Sequence, residues 1–287
     1  MIRFSAYRIL YFILSSVVII PGIWALFTGG IKPAIDFTGG TVVELKSTSP
    51  LSQILIDEAA ASASAQIVGV SRVAENTTIR TKTLSEESSK QFETALLTHP
   101  GSSIELRETV GPILGKELLE KTVVAAILAV VGILLYVAYA FRNFSFGISA
   151  IGALVHDSLV MFGVFALLGK LYNVEVDTLF VTAFMTTMSF SVHDTIVIFD
   201  RIREYRKRDT KATLTEISDI ALTETMGRSL VNSFTIIFML LALVLMGGDS
   251  VKWFAVALLV GTVTGTYSSP FVATPILLML EKMKKKT

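Results

Sequence analysis

Residues 155–162 of this chain are Val-His-Asp-Ser-Leu-Val-Met-Phe, and residues 192–199 repeat them almost unchanged as Val-His-Asp-Thr-Ile-Val-Ile-Phe. Both copies lie inside apolar runs that are long enough to cross a bilayer. An aspartate near the centre of a membrane helix costs about 2.5–3.5 kcal/mol on insertion scales. Asp157 and Asp194, each preceded by a histidine, therefore predict a membrane protein with an intramembrane site for protons or ions.

The composition agrees with a chain that lies mostly in a lipid bilayer. Of its 287 residues, 52% are hydrophobic and 17% are charged, whereas an average globular domain has about 25% charged residues. The absence of cysteine excludes disulfide frameworks, thiol catalysis and cysteine-ligated metals. A net charge of +1 gives no reason to expect a nucleic acid partner.

The hydropathy pattern predicts an α-helical polytopic membrane protein with six transmembrane helices and one extracytoplasmic α+β domain. We divide the chain into a first span (1–28), a soluble insert (29–121) and a five-span membrane domain (122–287) with a cytoplasmic amphipathic segment at about 200–228. The first apolar run is longer than that of a signal peptide and no small-residue cleavage site follows it, so we expect it to remain as a span. The predicted spans are about 7–28, 122–141, 146–169, 178–199, 229–246 and 251–280.

The basic residues of the short connections predict the orientation. The connections on the opposite side, 170–177 and 247–252, carry one lysine each. Both termini are therefore predicted to be cytoplasmic and the insert extracytoplasmic. The residues assigned to the cytoplasmic side are Arg3, Arg8, Arg142, Arg201, Arg203, Arg206, Lys207, Arg208, Lys211, Lys282, Lys284, Lys285 and Lys286.

The insert has the pattern of a ferredoxin-like β-α-β-β-α-β unit. Strands are expected at 41–46, 67–74, 77–83 and 103–109, with helices at 52–64 and 85–97. It contains no nucleophile–base pair and no metal-ligand cluster, so we expect a binding or mechanical role. On the cytoplasmic side, Thr213 and Glu216 form a capping-box pattern that predicts an amphipathic helix at the membrane interface.

The two membrane carboxylates leave alternatives open. Asp157 is either a proton or cation site or a packing residue that is hydrogen-bonded across the bundle. Asp194 lies seven residues before Arg201, which places it roughly 10 Å inside the membrane. Arg228 is either an interfacial anchor or an ion-pair partner of Asp194. We count as supporting polar residues Asp157, His156, His193, Asp200 and Arg201, with Asp200 expected to be solvated or paired with an arginine.

Glycines and other small residues are the remaining pattern. The paired glycines of Asp36-Phe-Thr-Gly39-Gly40 predict a sharp turn with positive φ after the first span. Small residues within the spans are expected at close helix contacts. They are Gly147, Ser149, Gly152, Ala153, Gly261 and Gly265.

Three segments together resemble motifs of the SecD/SecF family, membrane components of the bacterial Sec protein-export machinery. They are residues 35–41 (Ile-Asp-Phe-Thr-Gly-Gly-Thr), 110–118 (Val-Gly-Pro-Ile-Leu-Gly-Lys-Glu-Leu) and 194–204 (Asp-Thr-Ile-Val-Ile-Phe-Asp-Arg-Ile-Arg-Glu). The last is most similar to the SecF form of that motif. The resemblance covers essentially the whole chain.

The resemblance implies half of an RND-type transporter in the bacterial cytoplasmic (inner) membrane. It also implies a subunit that pairs with SecD and uses the proton-motive force to promote translocation of a polypeptide through the SecYEG channel. In this family Asp194 falls on the proton-site aspartate and Arg228 on the arginine associated with it. Asp36, Gly39 and Gly40 fall on the signature of the first domain.

Several expectations stay attached to that resemblance. Asp157 matches a third-span His-Asp whose role is less defined, and His193 replaces the usual asparagine. No covalent catalysis, metal or organic cofactor is expected, and the coupling ion is a proton or sodium. The alternatives are a half-size RND-type exporter of small molecules and a non-transporting membrane assembly scaffold.

Overall fold

A computed structural model of the protein describes residues 4–47, 51–73, 75–141, 143–208 and 211–284. Four basic residues that entered the orientation prediction, Arg3, Arg142, Lys285 and Lys286, lie outside the described residues. The chain forms two compact units. The membrane unit comprises Met1–Lys32 and Ala125–Thr287, and the insert unit comprises Pro33–Val124.

The helices and strands follow in chain order. A 3₁₀ turn at Phe4–Tyr7 precedes the first helix, and a π-helical turn at Ser269–Ala273 separates the last two. The elements are α1 (Arg8–Phe27), α2 (Ile35–Thr38), β1 (Gly40–Ser47), α3 (Gln53–Ser62), β2 (Ile67–Val73), β3 (Asn76–Thr81), α4 (Glu86–Leu96), β4 (Ser102–Val110), α5 (Pro112–Ala140), α6 (Phe144–Tyr172), α7 (Thr178–Arg208), α8 (Leu214–Met246), α9 (Asp249–Ser268) and α10 (Thr274–Lys284).

The insert unit has the predicted β-α-β-β-α-β order. Its four strands form one antiparallel sheet in the order β2-β3-β1-β4. This is the strand order of a ferredoxin-like unit, in which the β1-α3-β2 and β3-α4-β4 halves interleave so that β3 and β1 lie at the centre. On the central strand β1, Val43 pairs with Ile79 on one side and with Arg107 on the other.

The core of the insert unit lies between the sheet and its two helices. Alternate residues of β1 are fully buried because successive side chains of a strand point to opposite faces. Both helices begin at a serine N-cap: Ser52 accepts a hydrogen bond from Leu55 N and Ser85 from Ser88 N. The largest core residues are Leu45, Ile56, Ile79, Phe92 and Leu96.

Within the described residues, six helices are long and apolar enough to cross a membrane. The second span differs from its prediction, because α5 begins at Pro112 rather than near residue 122. Proline is favoured at the first helical position, where its missing N–H has no intrahelical partner in any case. Hydropathy alone missed this start because charged residues occupy the second and third turns.

The predicted cytoplasmic segment at 200–228 is not a separate interfacial helix. Residues up to Arg208 continue α7, and α8 runs without interruption from Leu214 to Met246. At 1.5 Å per residue, the 33 residues of α8 span about 50 Å, well beyond a hydrocarbon core of about 30 Å. The predicted capping box at its start is confirmed, because the Thr213 side chain bonds Glu216 N and the Glu216 side chain bonds Thr213 N.

The first turns of α8 are buried in the membrane unit instead of lying on lipid. Ile217, Ala221 and Leu222 are buried. The Asp219 carboxylate accepts hydrogen bonds from the backbone N–H and the hydroxyl of Ser5, both at 2.9 Å. At the start of α8, the apolar residues and the polar Asp219 therefore both make contacts within the membrane unit.

Glycines bring two pairs of spans into close contact. A Cβ added at Gly22 in α1 would lie 2.7 Å from Gly163 Cα in α6, and one added at Gly261 in α9 would lie 2.4 Å from Thr187 in α7. Gly265 likewise faces Ser191, as expected. The expectation for Gly147 was wrong, because nothing lies within 4 Å of its added Cβ.

Candidate functional site

Asp157 lies at the centre of the membrane unit and is only 1% exposed. Its Oδ2 accepts hydrogen bonds from Ser191 Oγ of α7 at 2.5 Å and from Ser268 Oγ of α9 at 2.8 Å. Its Oδ1 lies 2.8 Å from Nδ1 of His156. Three groups on three helices therefore hold this carboxyl group, and a buried polar group needs such hydrogen bonds to offset its loss of water.

His156 extends this network to the first span. Its Nε2 lies 3.0 Å from both Ser15 Oγ of α1 and Tyr267 OH of α9, and these two hydroxyls also contact each other. An imidazole that donates from Nδ1 to the carboxylate accepts at Nε2. The network thus joins α1, α6, α7 and α9, and its geometry corresponds to the packing alternative for Asp157.

The π-helical turn lies directly beside this network. Ser268 precedes the turn, and Ser269 within it bonds Thr195 Oγ1 at 2.8 Å. A π turn widens the helix locally and is frequent at functional sites. Here two consecutive serines of the sixth span face different helices: Ser268 bonds Asp157 of α6 and Ser269 bonds Thr195 of α7.

Asp194 lies on α7, one turn after Ser191, and its environment differs from that of Asp157. It keeps 8% of its surface exposed, and its Oδ2 accepts a hydrogen bond from Ser229 Oγ of α8 at 2.7 Å. Its Oδ1 has no hydrogen-bond partner in the described part of the chain. One neutral donor holds Asp194, whereas three groups hold Asp157.

The expected ion pair between Asp194 and Arg228 is absent from this structure. Consecutive side chains of a helix point in directions about 100° apart around its axis, so Arg228 and Ser229 do not both face Asp194. Ser229 is the residue that faces it. Arg228 is exposed and lines a cavity of about 460 Å³. The acidic residues that line the same cavity are Asp200, Glu204 and Glu224.

Arg201 holds one wall of that cavity together. Its guanidinium contacts Glu204 at 2.5 Å within α7 and Glu224 of α8 at 2.5 Å. Asp200 is exposed and pairs with Arg203 at 3.2 Å, as expected for the end of the span. Charged residues therefore link the ends of α7 and α8 about two turns from the Asp194–Ser229 contact.

The two histidines of the repeated octapeptide do not have equivalent positions. His156 is buried in the network, whereas His193 is exposed and lines a groove of about 370 Å³ beside α5 with Gly132, Tyr136 and Ser189. The helical turn of about 100° per residue points His193 away when its neighbour Asp194 faces α8.

The Asp36–Gly40 motif forms a turn within the insert unit. Gly39 has φ 71° and Gly40 has φ 147°, as predicted. A Cβ at Gly39 would lie 2.7 Å from Pro112 Cα, and one at Gly115 would lie 2.8 Å from Gly39 N. The motif therefore allows β1 to begin in backbone contact with the start of α5.

Sequence reasoning missed five hydroxyl groups of the two aspartate sites. The polar run Tyr267-Ser268-Ser269-Pro270 in an otherwise apolar span was the available signal. The missed residues are Ser15, Ser191, Ser229, Tyr267 and Ser268.

Across the described ranges, no group of three or more His, Asp or Glu residues is arranged to hold a metal ion.

Comparison with known proteins identifies the family of this chain. Residues 91–283 match the family model for the protein export membrane protein SecD/SecF, C-terminal, and residues 24–50 match the SecD/SecF GG motif. A protein of Thermobaculum terrenum named protein translocase subunit SecF is 41% identical to this chain, over 98% of this chain and 94% of the relative. A protein of the same name from Vibrio alginolyticus is 35% identical, over 99% of this chain and 91% of the relative.

A solved structure agrees with the sequence matches. The crystal structure of SecDF from Thermus thermophilus, a translocon-associated membrane protein, superposes with a TM-score of 0.86 at 28% identity over 98% of this chain. This chain spans 39% of the length of that SecDF protein. A structure of SecDF in its super-membrane-facing form gives a TM-score of 0.64 at 26% identity, over 98% of this chain and 38% of that one. The chain therefore belongs to the SecF family of protein translocase subunits, as a multi-pass inner-membrane subunit of Sec protein export.

Proposed function

We propose that the protein pairs with SecD beside the SecYEG channel and uses the proton gradient to promote translocation of a polypeptide. It has no covalent catalysis of its own, and Asp194 is the residue that takes up and releases the proton. Both termini are cytoplasmic, and the insert unit acts on the polypeptide from the extracytoplasmic side. The names SecF and SecDF of its relatives support the partnership with SecD.

The observation that carries this proposal is the single hydroxyl contact of Asp194. Proton uptake by a carboxylate that is held by an arginine breaks an ion pair. The Ser229 hydroxyl instead donates to the carboxylate and accepts from the carboxylic acid, because a hydroxyl does both. Asp194 therefore changes its charge by reversing one hydrogen bond, whereas at Asp157 the bonds to three partners on three helices would have to rearrange together.

The energy available matches the task. Moving one charge through 100 mV supplies about 2.3 kcal/mol, which shifts a two-state equilibrium about fifty-fold. A shift of that size is enough to bias the insert unit toward a conformation that retains an emerging polypeptide. Sodium is the second coupling ion that fits a carboxylate with a hydroxyl neighbour.

The test measures the export rate against pH and sodium concentration in cells that depend on this copy. Asp194→Asn is expected to abolish the dependence of export on the gradient. Asp200→Asn is the matched control, because this exposed carboxylate lies six residues further on the same helix, and it should leave that dependence unchanged. Export by Asp194→Asn that still follows the gradient would show that this residue is not the coupling site.

Orientation and partnership have their own readouts. Cysteine labelling of a variant with a single cysteine at Ser103 should occur only from the extracytoplasmic side. Co-purification with SecD would support the pairing. A chain that purifies without SecD under conditions in which SecD is stable would contradict it.

A further inference from the structure

A cavity of about 520 Å³ lies at the end of the membrane unit where α1 begins and α10 ends. Its wall combines the start of α1, the end of α7, the start of α8 and the last turns of α10. We propose that this cavity binds the head group of an anionic phospholipid that carries hydroxyl groups, as phosphatidylglycerol does, with the acyl chains lying along α1.

The charge of the cavity favours an anion. Among the residues that the structure describes, Arg8, Arg206 and Lys282 line it together with one carboxylate, Glu281, which gives a net charge of +2. Arg206 contacts Glu281 at 3.3 Å. Neither Arg8 nor Lys282 has an ion-pair or hydrogen-bond partner among the residues that the structure describes. Two uncompensated cations at one membrane edge are the usual recognition element for a lipid phosphate.

Glu281 supplies the second requirement of the ligand. The residue is only 8% exposed, and its Oε1 is buried with no hydrogen-bond partner within the described ranges. A buried carboxylate oxygen without a donor is destabilising unless a ligand or water supplies one. The glycerol hydroxyls of phosphatidylglycerol supply a donor beside the phosphate, whereas an ion such as inorganic phosphate does not fill both places.

Apolar grooves continue from the cavity along α1. A groove of about 430 Å³ shares Arg8 and Lys282 with the cavity and is otherwise lined by side chains such as Phe12 and Met279. A second groove of about 510 Å³ shares Ile9 and Phe12 with the first and extends to Pro21.

The length of these grooves matches one lipid leaflet. The twelve-residue rise from Ile9 to Pro21 covers about 18 Å, and half of a hydrocarbon core is about 15 Å. A charged cavity that opens into an apolar groove of this length fits a phospholipid better than a soluble phosphate ester.

The test titrates the full-length purified protein with lipids of identical acyl chains and measures apparent Kd by native mass spectrometry. Wild type should bind phosphatidylglycerol at least tenfold more tightly than phosphatidylethanolamine or phosphatidylcholine. The double variant Arg8→Gln/Lys282→Gln should weaken binding by roughly 25-fold, about fivefold for each lost cation. The charge-matched control Arg208→Gln/Lys284→Gln lies at the same end of the unit but outside the cavity, and it should change the Kd by less than twofold.

The hydroxyl requirement is tested with phosphatidylmethanol, which has the same charge as phosphatidylglycerol but no free hydroxyl. Wild type should prefer phosphatidylglycerol, and Glu281→Leu should lose that preference while keeping affinity for both lipids. Inorganic phosphate in large excess should not displace the lipid.

Four results would overturn the proposal. Two are an affinity for phosphatidylcholine, or for phosphatidylethanolamine, equal to that for phosphatidylglycerol. The others are displacement of the bound lipid by inorganic phosphate, and a loss of affinity in the control Arg208→Gln/Lys284→Gln equal to that in Arg8→Gln/Lys282→Gln.

Discussion

Replacing Gly163 by alanine should loosen the contact between α1 and α6. The added Cβ would lie 2.8 Å from Gly22 Cα, whereas carbon atoms in good contact are about 3.5–4.0 Å apart. The helices must therefore separate by roughly 0.7–1.2 Å at this point. Overpacking of this kind costs about 1–3 kcal/mol. Alanine also gains about 0.8–1.0 kcal/mol over glycine in a helix interior, which partly hides the steric cost.

Gly147→Ala isolates the steric part of that change. Gly147 lies on the same helix, and nothing is within 4 Å of its added Cβ, so this variant keeps the gain in helix propensity without the clash. The difference between the two melting temperatures in detergent should be about 2–12 °C, from 2–4 °C for each kcal/mol in a chain of this size.

A second readout follows from the same separation. The bond from His156 Nε2 to Ser15 Oγ is 3.0 Å long, so a separation of about 1 Å stretches it past the useful range of a hydrogen bond. Gly163→Ala should therefore increase hydrogen exchange in α1. If Gly163→Ala and Gly147→Ala melt at the same temperature, the close helix crossing does not exist in the membrane protein.

The remaining predictions concern single contacts. Asp157→Ala should lower the free energy of unfolding by about 3 kcal/mol or more, because three buried groups each lose a hydrogen bond. Asp194→Ala removes one bond and should cost about 1–2 kcal/mol. Chemical denaturation measures both values, and the reverse order of the two losses would contradict this reasoning. Gly39 has φ 71°, so Gly39→Ala should lower the free energy of unfolding by about 1–3 kcal/mol and speed hydrogen exchange in β1. The control is Gly69→Ala, because nothing lies within 4 Å of its added Cβ, and it should not speed that exchange. Thr213→Val should cost about 1 kcal/mol and speed exchange only in the first turn of α8, and unchanged exchange there would speak against the cap.

Local patterns were sufficient to predict much of the fold. Alternation of apolar residues predicted the strands of the insert unit, and the Thr213–Glu216 spacing predicted the start of α8. These features depend on residues within a few positions of one another. The start of α5 was missed although Pro112 marks it, because the prediction followed hydropathy rather than helix-start chemistry.

Contacts between distant helices could not be predicted in the same way. The sequence shows glycines at 22 and 163 but not that they face each other. It shows Asp194 and Arg228 but not the rotation of α8 that turns Ser229, rather than Arg228, toward Asp194. A rotation of one residue, about 100°, decides whether the partner of a membrane carboxylate is a cation or a hydroxyl. That rotation depends on packing along the whole helix.

The two carboxylates constrain how α7 and α8 respond if Asp194 takes up a proton. Ser191 and Asp194 lie three residues apart on α7, a rise of about 4.5 Å, so rotation of α7 at Asp194 would also pull Ser191 from Asp157. Breaking that buried contact is costly because it removes a hydrogen bond from a buried carboxyl group. The Asp157 network therefore fixes α7 against α6 and α9, whereas α8 meets Asp194 through the single Ser229 bond. On the proposed function, the Ser229 contact between α7 and α8 is therefore the one that changes with the charge of Asp194, while the Arg201–Glu224 pair keeps the two helices linked.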